Sequence, residues 1–265
     1  MKFETVLYEV KENIVKITMN RPERRNALNH ALWNDLLAAF DQAENDPDIR
    51  VIILAGSEKA FCSGWDIKES PYTSERKGVE MWGTSYALTT LRGISAGYLK
   101  IMNCRKPVIA QVTGYCLAAG CYLQMLCDIA IASETAIFGH PATGSGGVDS
   151  MPLWVWLLGV RKAKEILMTR RFIDGKEAER IGMVNRAVPP EKLEEEVWSM
   201  AKDIAVVPND DDTPGGHGMA ILKEQMNTDM EIMGLGALFT YHRQFNAWAH
   251  TMIGVQDMGK MLGKK

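Results

Sequence analysis

Lys106-Pro107-Val108-Ile109-Ala110-Gln111-Val112-Thr113-Gly114-Tyr115-Cys116-Leu117-Ala118-Ala119-Gly120-Cys121 is the stretch that decides the fold. It reads as an apolar strand over 108–112, a turn of small residues, and a helix from about Ala119 to Cys127. Small residues at a strand-to-helix turn let a ligand approach the main chain closely. The N-terminus of a helix presents unpaired N–H groups and a partial positive charge. The same order occurs upstream. Val51-Ile52-Ile53-Leu54-Ala55-Gly56 is a continuous apolar run of the kind buried inside parallel sheets. The loop Lys59-Ala60-Phe61-Cys62-Ser63-Gly64-Trp65-Asp66-Ile67 comes directly after that strand and its turn. Either loop alone reads equally well as a tight turn with no ligand. Side by side, the two could aim two N–H donors at one oxygen, which is an oxyanion hole.

Outward from these segments the pattern continues. Val6-Leu7-Tyr8 and Ile14-Val15-Lys16-Ile17-Thr18 are short strands separated by a charged turn at 11–13, and Arg21-Pro22 ends the second. Asn29 is placed to cap a helix running to about Asn45, with Leu32, Trp33, Leu36, Leu37, Phe40 and Ala43 at helical spacing. A long helical region over 80–103 precedes the deciding stretch. Strands at 129–132 and 136–138 follow it. Alternating strand and helix with apolar strands argues for an α/β fold with right-handed crossovers. From Val160 onward the pattern is almost wholly helical, with one polar break at 208–216. The final fifty or so residues carry an apolar helical face rich in Met and aromatics, which must pack on the core or on a neighbouring subunit.

Composition narrows the function classes. With 265 residues, 46% hydrophobic and 24% charged, the chain is long enough for one full-sized core. A net charge of −3 and the lack of a basic stripe argue against a nucleic-acid or membrane-surface binder. No apolar run approaches a membrane span, and the charged N-terminus lacks the uninterrupted apolar segment of a secretion signal. The five cysteines (Cys62, Cys104, Cys116, Cys121, Cys127) form no CxxC pair. They read as reduced, buried core residues of a cytoplasmic protein, with no disulfide framework and no metal site.

Taken in order and spacing, these segments resemble the crotonase (enoyl-CoA hydratase/isomerase) superfamily. The matching pieces are Asn20-Arg21-Pro22-Glu23-Arg24-Arg25-Asn26-Ala27-Leu28, the loop at 60–67, Lys106-Pro107-Val108-Ile109-Ala110, Gly114-Tyr115 through Gly120-Cys121, and Cys127-Asp128-Ile129. Ala178-Glu179-Arg180-Ile181-Gly182-Met183-Val184-Asn185, with Val188-Pro189 after it, extends the match to roughly residues 3–205. The resemblance implies an α/β, crotonase-like spiral of ββα repeats over 1–205, which binds acyl-CoA. It also implies a helical C-terminal trimerisation region over 206–265, and a homotrimer or dimer of trimers. Coenzyme A would enter as part of the substrate, with no permanently bound cofactor. The oxyanion donors implied by position are the N–H groups of Ser63 and Ala119. Ala119 stands where the family usually has Gly, which is tolerable if its φ is negative. Arg24, Arg25, Ala27, Gly64, Trp65, Asp66 and Gly120 fall on the family's substrate- and CoA-contacting segments. For the two arginines a solvated surface is the equal alternative.

The reactive residues depart from the family. Ordinary hydratases handle water with two glutamates, at the positions that hold Tyr122 and Ala142 here. Syn-hydration by that route is not expected. Asp149, in Gly144-Ser145-Gly146-Gly147-Val148-Asp149-Ser150, is the best remaining acid/base. This segment resembles the Gly-Ser-x-Asp segment of 1,4-dihydroxy-2-naphthoyl-CoA synthase and of 2-ketocyclohexanecarboxyl-CoA hydrolase. An aspartate in a Gly-rich loop is also a common turn residue. His140 reads either as a structural histidine or as the partner of Asp149. Tyr122 either donates a proton or fills the glutamate's space. Trp65, Trp82, Trp154 and Trp156 suit either core packing or a pocket for a ring-bearing acyl group. The expected function is enolate chemistry on an acyl-CoA thioester by a lyase or isomerase. The alternatives are a C–C bond hydrolase acting on a cyclic β-diketone or β-keto acyl-CoA, and a non-catalytic CoA-binding member.

Overall fold

The computed structural model describes residues 2–69, 84–141, 151–206 and 217–252. Strands β1 (Val6–Lys11) and β2 (Ile14–Met19) form an antiparallel hairpin in which Lys11 faces Ile14. Helix α1 (His30–Asn45) begins where expected, because the Asn29 side chain accepts from the Leu32 N–H at 2.9 Å. Its buried face is Leu32, Trp33, Leu36, Ala39, Phe40 and Ala43, while Leu37 is only half-buried.

Each following turn of chain lays one strand in each of two sheets and then adds a helix. The turns are β3 (Val51–Ala55), β4 (Ala60–Cys62) and α2 (Thr84–Met102); β5 (Val108–Val112), β6 (Tyr115–Leu117) and α3 (Ala119–Met125); and β7 (Ile129–Ser133), β8 (Ile137–Gly139) and α4 (Leu153–Thr169). Beyond them lie β9 (Ile173–Asp174), α5 (Gly175–Arg180), β10 (Arg186–Val188) and α6 (Leu193–Ala205). The larger sheet runs β1-β2-β3-β5-β7-β10, parallel from β2 onward. The smaller runs β4-β6-β8-β9, with only the last pair antiparallel. This is the expected ββα spiral.

The central strands are buried on both faces, which is why their sequences are continuously apolar. Ile52, Leu54, Val108, Ala110 and Val112 point into the main core. Val51, Ile53 and Ile109 point the other way, against Leu193, Val197, Ala201 and Ala205 of α6. Four strands differ from the sequence reading. The residues of β4 read as part of a loop and those of β6 as part of a small-residue turn, while β9 and β10 lie in a region that reads as helical. Two or three residues are too few to show a period, and only their pairing partners define these strands.

After residue 216 come α7 (Gly218–Ile232) and α8 (Leu235–Met252). The Lys223 ammonium, with its side chain 6% exposed, reaches Asp128 Oδ2 at 2.7 Å and the Lys106 carbonyl at 3.2 Å. Asp128 Oδ2 also accepts from the Val108 N–H at 2.7 Å. One lysine thereby ties α7 to the starts of β5 and β7. Helix α8 packs along α2 of its own chain. The polar break at 208–216 lies outside the described residues. Among those described, no helix is long and apolar enough to cross a membrane. Cys62, Cys104, Cys116 and Cys121 are buried, and burial pushes the Cys62 thiol up to about 12.

Candidate active site

The two loops singled out in the sequence meet. Gly64 has φ +102°, and a Cβ built on it would lie 3.0 Å from Ala118 Cβ and 3.6 Å from the nitrogen of Ala119. Gly120 lies closer still to β4, since a Cβ there would come within 2.1 Å of the Cys62 carbonyl oxygen. Glycine at both places is what lets the first turn of α3 press against the end of β4. Ala119, the first residue of α3, keeps a negative φ, so its methyl group is unstrained. The left-handed residue is its neighbour Ala118, at φ 49°, where a side chain costs energy that the surrounding contacts must hold down. Its N–H is bonded to the Gly139 carbonyl at 2.9 Å.

The segment at 20–28 braces this loop. Asn26, fully buried, donates to the carbonyls of Ala60 (2.9 Å) and Phe61 (3.2 Å), while its Oδ1 accepts from the Arg21 N–H. Arg21 reaches the Ala27 carbonyl at 2.6 Å, Asp66 at 3.5 Å and Glu69 at 3.1 Å. Asp66 also accepts from the N–H groups of Lys68 and Glu69. Asp66 and Ala27, expected to contact substrate, are thus engaged in holding the loop. Arg24 and Arg25 are exposed, with the Arg25 guanidinium 5.0 Å from the Tyr115 ring centroid. Neither Arg21 nor Asn26 was singled out as a brace, although both lie in the quoted motif.

Ser63 requires a correction. Its N–H donates to the Arg25 carbonyl at 3.1 Å, which commits that donor within the protein. The Leu28 N–H bonds the Gly64 carbonyl and the Asp66 N–H bonds the Leu28 carbonyl, both at 2.8 Å. Leu28 and Trp65 therefore form a parallel bridge. In such a bridge the N–H of the central residue, here Trp65, points to the side opposite its neighbours. Which amide of the loop faces away from Leu28 depends on a partner 37 positions back, and no local sequence pattern reveals it.

A connected set of rings lies beside the two loops. The Tyr122 hydroxyl and His140 Nε2 are 2.6 Å apart, and both side chains are buried. Burial holds the His140 imidazole down at about 4, so it is neutral near pH 7. The His140 ring lies edge-on to Trp154 at 6.3 Å. The fully buried Trp154 indole N–H has no acceptor among the described residues. Tyr98 stands edge-on to Tyr122 at 6.0 Å and to Trp33 at 5.1 Å, and accepts a hydrogen bond from Trp65 Nε1 at 3.0 Å. Trp156 is half-buried against the main core. Tyr98 was not foreseen, because a tyrosine within a long helix carries no local signature. Asp149, Ala142 and Trp82 lie outside the described residues, as does the whole Gly-rich segment that carries Asp149.

The α/β spiral seats a glycine loop against the first turn of a helix, and that helix carries Tyr122, one half of a buried polar pair whose other half, His140, follows β8. The model of the enoyl-CoA hydratase/isomerase family matches residues 9–251. A probable enoyl-CoA hydratase of Rhizobium meliloti is 40% identical over 208 residues, 77% of each chain. A probable mitochondrial enoyl-CoA hydratase of Dictyostelium discoideum is 32% identical over 262 residues, 97% of this chain and 86% of that one. The crystal structure of an enoyl-CoA hydratase/isomerase from Xanthobacter autotrophicus Py2 superposes with a TM-score of 0.86 at 30% identity, covering 98% of this chain and 93% of that one. The chain belongs to the enoyl-CoA hydratase/isomerase family and is an enzyme of that family.

Proposed function

We propose that the chain acts on an acyl-CoA thioester through an enolate whose oxygen is held by the N–H groups of Trp65 and Ala119. Protons are moved by Tyr122, His140 and Asp149 in place of two glutamates. The observation that carries this reading is the seating of Gly64 against the Ala119 nitrogen, which brings the two loops within reach of one oxygen. Two N–H donors there polarise the thioester carbonyl, and each contributes about 3 kcal/mol to the enolate-like transition state.

Tyr122 replaces the first glutamate and is bonded to a neutral imidazole. As the Tyr122 oxygen takes a proton from the carbon next to the thioester, its own hydroxyl proton passes to His140 Nε2, and the reverse transfer returns it; the imidazolium so formed is balanced by the enolate. Asp149, on the Gly-rich segment that resembles ring-forming and ring-opening relatives, supplies the carboxylate. The chemistry is isomerisation, or C–C bond making and breaking next to the thioester, rather than two-glutamate hydration. The rings of Trp65, Tyr98, Tyr122 and Trp154 suit a ring-bearing acyl group. Coenzyme A arrives with the substrate, its phosphates met by Arg24 and Arg25. The working form is a homotrimer or dimer of trimers in the cytoplasm. Exposed apolar residues on α4, α7 and α8 (Leu157, Val160, Leu222, Tyr241, Phe245) support a covered face.

A second reading, hydrolysis of a cyclic β-diketone or β-keto acyl-CoA, draws on the neutral, buried His140 as a general base for water. A panel of crotonyl-CoA, cyclic keto-acyl-CoA and free diketones separates the two, assayed with Tyr122→Phe, His140→Ala and Asp149→Asn. Turnover confined to thioesters and lost in these variants is expected. Crotonyl-CoA hydration that survives all three overturns both readings.

A further inference from the structure

We propose that Tyr98 is a positioning residue that holds the two oxyanion donors at their working separation, an inference that rests on the oxyanion-hole reading above. One donor belongs to a loop and the other to a helix, and a pair of donors stabilises an oxyanion only when both are held to within about 0.5 Å. Tyr98 touches the carriers of both. Its hydroxyl accepts from Trp65 Nε1 at 3.0 Å, on the residue whose backbone N–H is the loop donor. Its ring stands edge-on at 6.0 Å to Tyr122, on the same short helix as Ala119 and one turn along.

Tyr98 is itself firmly placed. It is 1% exposed, and its ring meets Trp33 of α1 at 5.1 Å. Gly97 beside it leaves room for that indole, since a Cβ there would come within 2.3 Å of Trp33 Cζ2. Trp33 also meets the Trp65 ring edge-on at 5.3 Å, so the indole bonded to Tyr98 has a second wall. Helix α2, which carries Tyr98, is backed by α8. The Trp65–Tyr98 hydrogen bond thus joins the oxyanion loop to a packed helix pair.

The test uses the full-length chain and butanoyl-CoA labelled with ¹³C at the thioester carbonyl, a thioester with no double bond to hydrate. Isotope-edited infrared spectra report the polarisation of the bound carbonyl. Exchange of the α-proton in D2O reports the enolate, and calorimetry reports affinity. Tyr98→Phe keeps the ring and removes the hydroxyl. It is expected to retain the affinity for butanoyl-CoA, reduce the downshift of the carbonyl band, and slow exchange about ten-fold or more. Trp65→Phe removes the same hydrogen bond from its other end. It is expected to reduce the carbonyl downshift and slow exchange in the same way, and the double variant to be no worse in either than Trp65→Phe alone. Should Tyr98→Phe fail to fold, Trp65→Phe is read in its place. A carbonyl band shifted in the variant as far as in the parent protein overturns the positioning role. Absence of any shift in the parent protein overturns the oxyanion hole itself.

Discussion

The Gly64–Ala119 contact and the Tyr122–His140 pair lie on the same short helix and its neighbours, yet they are built in opposite ways. The first is made of main chain, through glycines that allow approaches no side chain would permit. The second is made of side chains, a hydroxyl and a neutral imidazole enclosed by aromatic rings. A backbone site is independent of side-chain identity but intolerant of added atoms. A side-chain site can be rewritten one residue at a time. On the proposed reading, binding is therefore a property of the fold and the reaction a property of a few side chains.

Substitutions can break that contrast. Gly120→Ala is expected to have the largest effect. The new methyl would meet the Cys62 carbonyl at 2.1 Å, so α3 must move away from β4. A loss of about 3 kcal/mol in urea unfolding is expected, with activity falling about 100-fold as the donors separate. Tyr122→Phe is expected to lower kcat about 100-fold with little change in KM, because it removes the hydroxyl proposed to move the proton and leaves the main chain in place. A KM that rises with kcat unchanged would mean that the hydroxyl binds substrate and moves no proton.

The His140 imidazole sharpens the contrast through pH. Its folded-state value near 4 lies below the roughly 6.5 of an unfolded histidine, so the unfolded chain binds the proton more readily. Stability from this group is complete above about pH 6.5 and is lost as pH falls toward 4, by about 1.4 kcal/mol at roughly pH 5.5. Urea midpoints measured across that range are expected to fall less steeply in His140→Gln. An unchanged slope would place the acid sensitivity elsewhere. The smallest effect is expected for Ser63→Ala. Among the described residues the Ser63 hydroxyl reaches only the Arg24 carbonyl, at 3.5 Å, and its N–H is bonded to the Arg25 carbonyl. Activity is expected to stay within about two-fold, since surface substitutions away from special contacts change little.

The sequence displayed the main-chain half of the molecule well. Val51–Ala55 and Val108–Val112 are continuously apolar because both faces are covered, and Asn29 caps α1 with its own side chain. The small residues at 114 and 118–120 mark the close approach directly. Short strands such as Ile173–Asp174 were hidden, because pairing and not pattern makes them strands. The Ser63 N–H expected as a donor is committed to the Arg25 carbonyl, and the direction of the loop's amides is set by the bridge to Leu28. Tyr122 and His140 were each visible, but their 2.6 Å bond joins residues 18 apart through the turn of the spiral. Tyr98 and Trp65, 33 apart, are joined in the same way.

The lysine on α7 also sets a constraint of timing. Asp128 must wait for a counter-ion 95 residues further along the chain. At ribosomal speeds that interval is roughly 5–20 s, during which the starts of β5 and β7 hold a carboxylate without its ammonium partner. A nascent chain stopped before residue 223 leaves the Asp128 carboxylate without the Lys223 ammonium. Completion of this contact is therefore deferred until α7 has been made. Shortening the chain from its C-terminus past that lysine should produce a species that chaperones hold, rather than a smaller working enzyme.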